Sequence, residues 1–189
     1  MTMTMSSFKK AEQEYWKDHF GLKVNFADVV IPQKPNRGSW CLIIMPKGLT
    51  MDPAVEVIRK DFEVITHAKS LDKFVPINAR ITNKNYAVWV YVGAEPNQKY
   101  LGKTTRQTEI EGRIGNTLFE RLVLGHKHFI KTGKHLDNEC ATFCTASRTA
   151  KGLVPFVYWH PIKKKVGVYW INADDNFFRK GGLREAVYV

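Results

Sequence analysis

The sequence is poor in cysteine, in long apolar runs and in acidic residues, and each shortage excludes a class of protein. The three cysteines, Cys41, Cys140 and Cys144, are too few and odd in number to form a disulfide scaffold. No apolar run approaches the roughly 20 residues that cross a bilayer, so we expect no membrane insertion. The N-terminal residues show no secretory signal, so we expect synthesis in the cytoplasm, with display on a cell surface or virion left open.

The residues that are present have the composition of a globular protein with a basic surface. Of 189 residues, 44% are hydrophobic and 25% are charged, which is enough for one core. Lysine and arginine number 29 against 18 acidic residues, so the net charge of +11 attracts anions such as nucleic acid. This charge is spread along the chain, and no nucleic-acid reader motif is present. We therefore keep nucleic-acid binding by a basic protein as the alternative function and not as the leading one.

The spacing of apolar residues predicts two principal helices. The first is predicted over 8–20, preceded by a flexible N-terminus at 1–7. A capping box formed by Thr117 and Glu120 predicts the start of the second, whose apolar stripe continues to about residue 131.

Alternating and apolar patterns predict a sheet. The polar, glycine-containing stretch 94–116 is predicted to be a long loop. We expect a single α+β domain over 8–189, with a mixed, largely antiparallel sheet and two principal helices. Its strands are predicted at 40–45, 85–93, 154–160, 166–171 and 183–189, the third and fourth forming a hairpin with a basic turn.

Both faces of this predicted hairpin are apolar or aromatic. One face presents large side chains suited to a core: Val157, Trp159, Val168 and Trp170. The other keeps similar side chains where a half-buried strand normally turns polar: Phe156, Tyr158, His160, Tyr169 and Ile171. Aromatic rings with polar tips supply rigid contact area, so this second face is a candidate binding face. The alternative is that both faces are covered and the hairpin is central in the fold.

Histidines and cysteines in the second half of the chain suggest a zinc site, but their spacing argues against it. His126 and His128, two apart on a helix, point about 200° away from each other. Cys140 and Cys144 lack the usual close-pair spacing of zinc ligands, and nothing nearby activates a thiol nucleophile. Phosphate-binding loops, dinucleotide-binding turns and nucleophile elbows are also absent from the sequence. We therefore predict no catalytic site, no metal and no enzyme activity.

Four segments of the C-terminal part resemble a known family. They are TFCTASR at 142–148, GLVPFVYW at 152–159, VGVYW at 166–170 and LREAV at 183–187. Together they look like the end of a C-type lectin fold, as in the variable proteins of diversity-generating retroelements. In that family a reverse transcriptase rewrites the end of the gene at template adenines, and the varied side chains project from a fixed scaffold.

The resemblance covers roughly residues 117–189 and implies a C-type lectin-like domain with a variable, ligand-binding region at about 150–189. The implied function is binding of a macromolecular ligand, which we expect to be a protein. Val157, Trp159, Val168 and Trp170 would belong to the scaffold. Several of the remaining residue types are reachable from an asparagine codon by changing adenines. The implied ligand-binding positions are Phe156, Tyr158, His160, Gly167, Tyr169, Ile171, Asn172, Asp174, Asp175 and Asn176.

Animal lectins of this fold bind sugar through calcium, and the corresponding fragments are incomplete here. Their Glu-Pro-Asn segment is matched at 95–97, but the Trp-Asn-Asp segment is interrupted at 170–174 and lies far along the chain. Calcium needs six to eight oxygen atoms that converge on one point. We therefore predict no calcium and no other cofactor.

Overall fold

The computed structural model describes residues 4–175 and 180–189. The helices in these ranges are α1 (Met5–Phe20), α2 (Met51–Ile58), α3 (Leu71–Phe74), α4 (Thr105–Ile110) and α5 (Leu118–Thr132), with a 3₁₀ turn at Gln98–Tyr100. The strands are β1 (Trp40–Met45), β2 (Val64–Thr66), β3 (Ile77–Asn78), β4 (Tyr86–Tyr91), β5 (Ala141–Phe143), β6 (Ser147–Arg148), β7 (Val154–His160), β8 (Lys165–Ile171), β9 (Gly181–Leu183) and β10 (Ala186–Tyr188).

The described strands pair into three sheets. One has the order β1-β4-β10, a larger one has the order β2-β8-β7-β5-β9, and β3 pairs with β6. Most neighbours are antiparallel, whereas β2 with β8 and β5 with β9 are parallel. The prediction of an α+β chain with largely antiparallel pairing is therefore confirmed, and α1 and α5 are its two long helices.

The first helix begins earlier than its sequence pattern suggested. Its N-cap is Thr4, whose side-chain oxygen accepts a hydrogen bond from the backbone N–H of Ser7. The helix therefore starts at Met5 instead of residue 8, and it ends at Gly21, which adopts a left-handed φ of 69°. A glycine is suited to this position because it takes positive φ without steric strain.

The predicted capping box of α5 is present. The Thr117 side chain accepts from the backbone N–H of Glu120 at 3.1 Å, and the Glu120 carboxylate accepts from the backbone N–H of Thr117 at 2.8 Å. These reciprocal bonds satisfy two N–H groups that a helix start leaves unpaired. The helix runs to Thr132 and is closed by Gly133, also with positive φ.

The prediction of a structureless loop over 94–116 is wrong. This stretch contains the 3₁₀ turn and α4, which begins at a second capping box formed by Thr104 and Gln107. The box follows the same Thr-x-x-Glu/Gln rule as α5, so the signal was present in the sequence. Helix α4 has only six residues, so it lacks the long apolar stripe that makes α5 easy to recognise.

The apolar side chains collect in two clusters. The main core lies between the three-stranded sheet, the hairpin and the long helices, and it includes Trp16, Ile43, Trp89, Leu124, Val157 and Val168. A smaller cluster lies on the opposite face of the hairpin and comprises Ala141, Phe143, Val154, Phe156 and Ile171.

A buried ionic network joins the end of the chain to the rest of the fold. The Asp137 carboxylate accepts from the guanidinium of Arg121 at 2.6 Å and also pairs with Arg184. Thr142 donates to the same carboxylate at 2.6 Å and accepts from Nε of Arg184 at 2.8 Å. Asp137 and Arg184 are both 0% exposed. Each charge is thus paired, as charges removed from water must be.

The predicted closing strand at 183–189 is divided at this network. β9 pairs in parallel with β5, whereas β10 pairs with β4 in the other sheet. Arg184, between them, points inward to Asp137 and donates to the carbonyl of Gly93 at 2.8 Å. The C-terminal strands therefore join both sheets.

A second buried ion pair connects α5 to the segment after β3, and a hydrogen bond joins the same α5 side chain to β4. Arg80 donates to both oxygens of the Glu120 carboxylate, at 2.6 and 2.7 Å. The hydroxyl of Tyr86, on β4, donates to the same carboxylate at 3.1 Å. Glu120 is 0% exposed, so the helix cap and the ion pair depend on the same side chain.

Among the described helices, none combines the length and apolarity needed to cross a bilayer.

Candidate functional site

The hairpin of β7 and β8 presents the two faces that its alternation predicts. Phe156 is paired with Tyr169 and Tyr158 with Gly167, which places these four residues on the same, outer face. Val157 is paired with Val168 on the inner face, where both are 0% exposed.

The two tryptophans of the inner face pack on rings from other elements. Trp159 stacks on the His135 imidazole with the ring centroids 3.5 Å apart and the planes at 10°. Trp170 lies 4.4 Å from the ring of Phe74 in α3. Both tryptophans stay half-buried. Trp159 packs against the main core, whose interior includes Val157 and Val168.

His135 contacts two further rings, since Phe129 stacks on it at 4.7 Å and Phe62 meets it edge-on at 4.9 Å, centroid to centroid. Burial, reinforced by the positive charge of Arg121, lowers the pKa of His135 to about 4. The imidazole is therefore neutral in the folded protein at neutral pH. In the unfolded chain its pKa returns to the ordinary value near 6.5.

This shift predicts a loss of stability in mild acid. A folded pKa below the unfolded one stabilises the protein above about pH 6.5, and this contribution is lost as the pH falls toward about 4. We expect the melting temperature to fall between about pH 7 and pH 5, and to fall less in the His135→Phe variant, which keeps the stacked ring but cannot be protonated. Thermal unfolding followed by circular dichroism measures both. An equal fall in the two proteins would contradict the role of His135.

The outer face carries four rings that we call the aromatic row: Phe156, Tyr158, His160 and Tyr169. Tyr158 lies 4.0 Å from His160 and 5.6 Å from Tyr169, centroid to centroid. Phe156 lies 5.7 Å from Tyr169, and the His160 Nε2 is 3.3 Å from the Tyr169 hydroxyl. These contacts fix the rings relative to one another.

A glycine makes room for one ring of the row. A Cβ atom at Gly167 would lie 2.4 Å from the ring of Tyr169 and 3.3 Å from His160. Non-bonded carbon atoms do not approach to 2.4 Å, so any larger residue at 167 would displace the ring of Tyr169. Gly167 is itself buried, and its part in the site is to let the Tyr169 ring lie over the strand.

The remaining positions expected to face a ligand differ in exposure. Phe156 is 7% and Ile171 8% exposed, and both belong to the smaller cluster. Tyr158, His160 and Tyr169 are half-buried. Those exposed to solvent are Asn172, Asp174 and Asp175, while Asn176 lies outside the described residues. The hairpin is thus covered on both faces at its Val154 end, and its outer face opens toward the turn.

Two polar tips of the aromatic row, those of Tyr158 and His160, are uncharged at neutral pH. Burial and the neighbouring Tyr169 raise the pKa of Tyr158, so its hydroxyl keeps its proton. Burial and the charges of Lys163 and Lys165 lower the pKa of His160, so its imidazole is neutral. The row therefore offers neutral hydrogen-bonding groups on rigid rings.

The loop after β8 rests on α4, which the sequence had not suggested. The backbone N–H of Arg106 donates to the carbonyl of Ala173 at 3.0 Å, and the Thr105 hydroxyl donates to the same carbonyl at 3.1 Å. The Arg106 guanidinium also lies 3.3 Å from the Asp174 carboxylate. Arg106 and Thr105 are positioning residues for the loop, and the capping box at Thr104 was the signal that could have located them.

No family model matches this chain, and neither a curated protein nor a solved structure matches it. The chemistry of the site is therefore read from its own residues.

Cys140 and Cys144 are held in the protonated form, and the described residues form no metal cluster. Burial and Glu95 raise the pKa of Cys140 to about 11, and burial raises that of Cys144 further. Both groups are therefore thiols at neutral pH, and a thiol is a weak nucleophile and metal ligand. Within 4–175 and 180–189, no three His, Cys, Asp or Glu side chains lie close enough together to hold a metal ion.

Proposed function

We propose that this protein binds a macromolecular ligand, a protein, through the aromatic row and the loop that follows β8. We further propose that it does so as a variable protein of a diversity-generating retroelement, on a C-type lectin-like scaffold, and that it is not an enzyme. The observation that carries the binding proposal is the half-buried row of Tyr158, His160 and Tyr169, in which the polar tips of Tyr158 and His160 are neutral.

Rings of this kind suit protein recognition for a physical reason. A tyrosine brings a large apolar area with only two rotatable angles, so little entropy is lost when a partner covers it. The ring-to-ring contacts of 4.0–5.7 Å restrict the rings further before any partner arrives. Preorganisation of this kind strengthens binding without additional contacts.

The separation of the two apolar clusters also supports the proposal. The aromatic row packs on the smaller cluster, while Val157 and Val168 on the inner face belong to the main core. Changes in the outer rings therefore leave the main core intact. A scaffold that tolerates diversified contact residues requires this separation.

Substitution of the two tyrosines tests the binding role. We expect random peptides displayed on phage to be selected by the immobilised wild-type protein and not to be retained by Tyr158→Ala or Tyr169→Ala. Because both rings pack on the smaller cluster and not against the main core, their removal is expected to lower the melting temperature by no more than about 4 °C.

Trp159→Ala is the matched control on the same strand. Its stacked ring closes the main core, so its removal is expected to lower the free energy of unfolding by about 3 kcal/mol. Equal losses of stability in Tyr158→Ala and Trp159→Ala would show that the outer face is core, and the site assignment would then be wrong.

The variable-protein part of the proposal is tested on the gene. We expect a near-copy of the codons for residues 150–189, differing almost only at adenines, beside a reverse-transcriptase gene. Its presence would identify the contact residues codon by codon. A complete locus without such a copy would contradict this part of the proposal. The binding role would still be tested by the tyrosine variants.

A further inference from the structure

The turn between β7 and β8 is basic and has an apolar tip. We call residues 161–165 the hairpin tip; they are Pro161, Ile162, Lys163, Lys164 and Lys165. Ile162 is 95% exposed, more than any other large apolar side chain within residues 4–175 and 180–189. Lys165 pairs with Glu63 at 2.9 Å. Within the described residues, Lys163 and Lys164 are exposed and have no carboxylate partner.

The backbone of the tip gives no reason for a lysine at 164. Lys164 has a φ of +50°, in the left-handed region that glycine and asparagine adopt at lower energy. The short turn closes through this left-handed residue, a position that glycine would fill at lower energy. With lysine there, the turn carries a charge at its tip.

The field of the tip reaches the aromatic row. His160, the last residue of β7, is paired with Lys165, and the charges of Lys163 and Lys165 both act on its imidazole. The turn end of the row is thus positive and apolar together. The other end is different, because Asp174 and Asp175 follow β8 there and are exposed, and only Asp174 has a cationic partner, Arg106, among the described residues.

We propose that the protein partner presents an acidic surface with an apolar residue to the hairpin tip. Its carboxylates would lie against Lys163 and Lys164, and its apolar side chain against Ile162, while the aromatic row provides the rigid anchors. This inference rests on the proposed function and adds the chemical class of the partner.

The same observations favour an acidic protein over nucleic acid. Bases bind single-stranded readers by stacking on free aromatic faces. Here the rings of the row already contact one another at 4.0–5.7 Å. A continuous phosphate backbone along the row would also meet Asp174 and Asp175, whereas a protein can place its acidic groups at the tip alone.

The composition of selected peptides tests the inference. From the random library described above, we expect the peptides that depend on Tyr158 to be enriched in Asp and Glu over the input library. We expect a Lys163→Gln/Lys164→Gln double variant to bind these peptides about tenfold more weakly, as two lost exposed ion pairs allow, and raised salt to weaken wild-type binding. A Lys47→Gln/Lys84→Gln double variant removes the same charge from exposed turns of the three-stranded sheet and is expected to bind normally.

Each contrary result has a distinct meaning. Tyr158-dependent peptides without an acidic excess would overturn the acidic-partner inference and leave the proposed function standing. A wild-type protein that selects no Tyr158-dependent peptide would overturn both. Tighter binding of an oligothymidine than of acidic peptides, lost in the tip variant, would replace the protein partner by nucleic acid.

Discussion

Replacement of Asp137 by alanine is expected to lower the free energy of unfolding by about 3–5 kcal/mol, the effect of breaking a buried ion pair from one side. The Asp137 carboxylate is the counter-charge for both Arg121 and Arg184, which are 3% and 0% exposed. Its removal leaves two guanidinium groups out of water with no negative partner. The hydroxyl of Thr142 loses its acceptor in the same step.

Equilibrium unfolding in urea measures this loss, and Asp175→Ala provides the control. Asp175 is an aspartate in an exposed loop, so its replacement is expected to change the free energy of unfolding by no more than about 0.5 kcal/mol. A loss below about 1 kcal/mol for Asp137→Ala would contradict a role for the network in holding the fold together.

The Asp137 carboxylate also makes the stability of the protein depend on pH in acid. Burial alone would raise the pKa of Asp137, but the charges of Arg121 and Arg184 outweigh it and hold the pKa below its usual range. A lowered folded pKa stabilises the protein above the unfolded value near 3.9, and this contribution disappears as the pH falls through the folded pKa. We expect wild-type stability to decline below about pH 4, beyond the range in which His135 acts.

The second large loss is expected from Glu120→Ala, again about 3–5 kcal/mol in the free energy of unfolding. This substitution leaves Arg80 buried without a counter-charge and removes the acceptor of the Tyr86 hydroxyl. It also removes one half of the α5 capping box, since the backbone N–H of Thr117 loses its partner. Three contacts are therefore lost with one side chain.

Two variants separate these contributions in urea unfolding. Glu120→Gln keeps one acceptor oxygen for the helix cap, but it removes the charge and replaces the other acceptor by an NH2 group, so its loss is expected to be substantial and still smaller than that of alanine. Glu111→Ala breaks an ion pair with Lys103 that is more than a third exposed, and it is expected to cost less than about 1 kcal/mol. If Glu120→Ala costs no more than Glu111→Ala, the buried pair does not stabilise the fold.

Local signals made part of the fold predictable from the sequence. The capping box of α5 and the alternation of β7 and β8 each depend on a few consecutive residues. The helix and both strands are present in the structure. The start of α1 and the whole of α4 were missed although each has a capping residue, Thr4 and Thr104. Short or polar helices carry too little apolar periodicity for their caps to be noticed.

Long-range contacts explain what the sequence could not predict. An arginine is almost never fully buried unless it is paired, and the partner of Arg184 is an aspartate far away along the chain. The sequence pattern therefore predicted one continuous closing strand where the structure has two. The burial of Phe156 and Ile171 has the same origin, because the smaller cluster also draws on Phe143 from β5, which only the folded sheet brings beside them.

The position of β9 and β10 in both sheets has a consequence for biosynthesis. These strands emerge from the ribosome after every strand with which they pair, so β4 and β5 are synthesised with one edge open. Until residue 184 appears, Asp137 faces Arg121 alone and neither sheet is complete. Unpaired strand edges are templates for aggregation, and distant pairing slows folding. The nascent chain therefore passes through a stage with exposed strand edges, and both sheets are complete only when the late-synthesised strands join them.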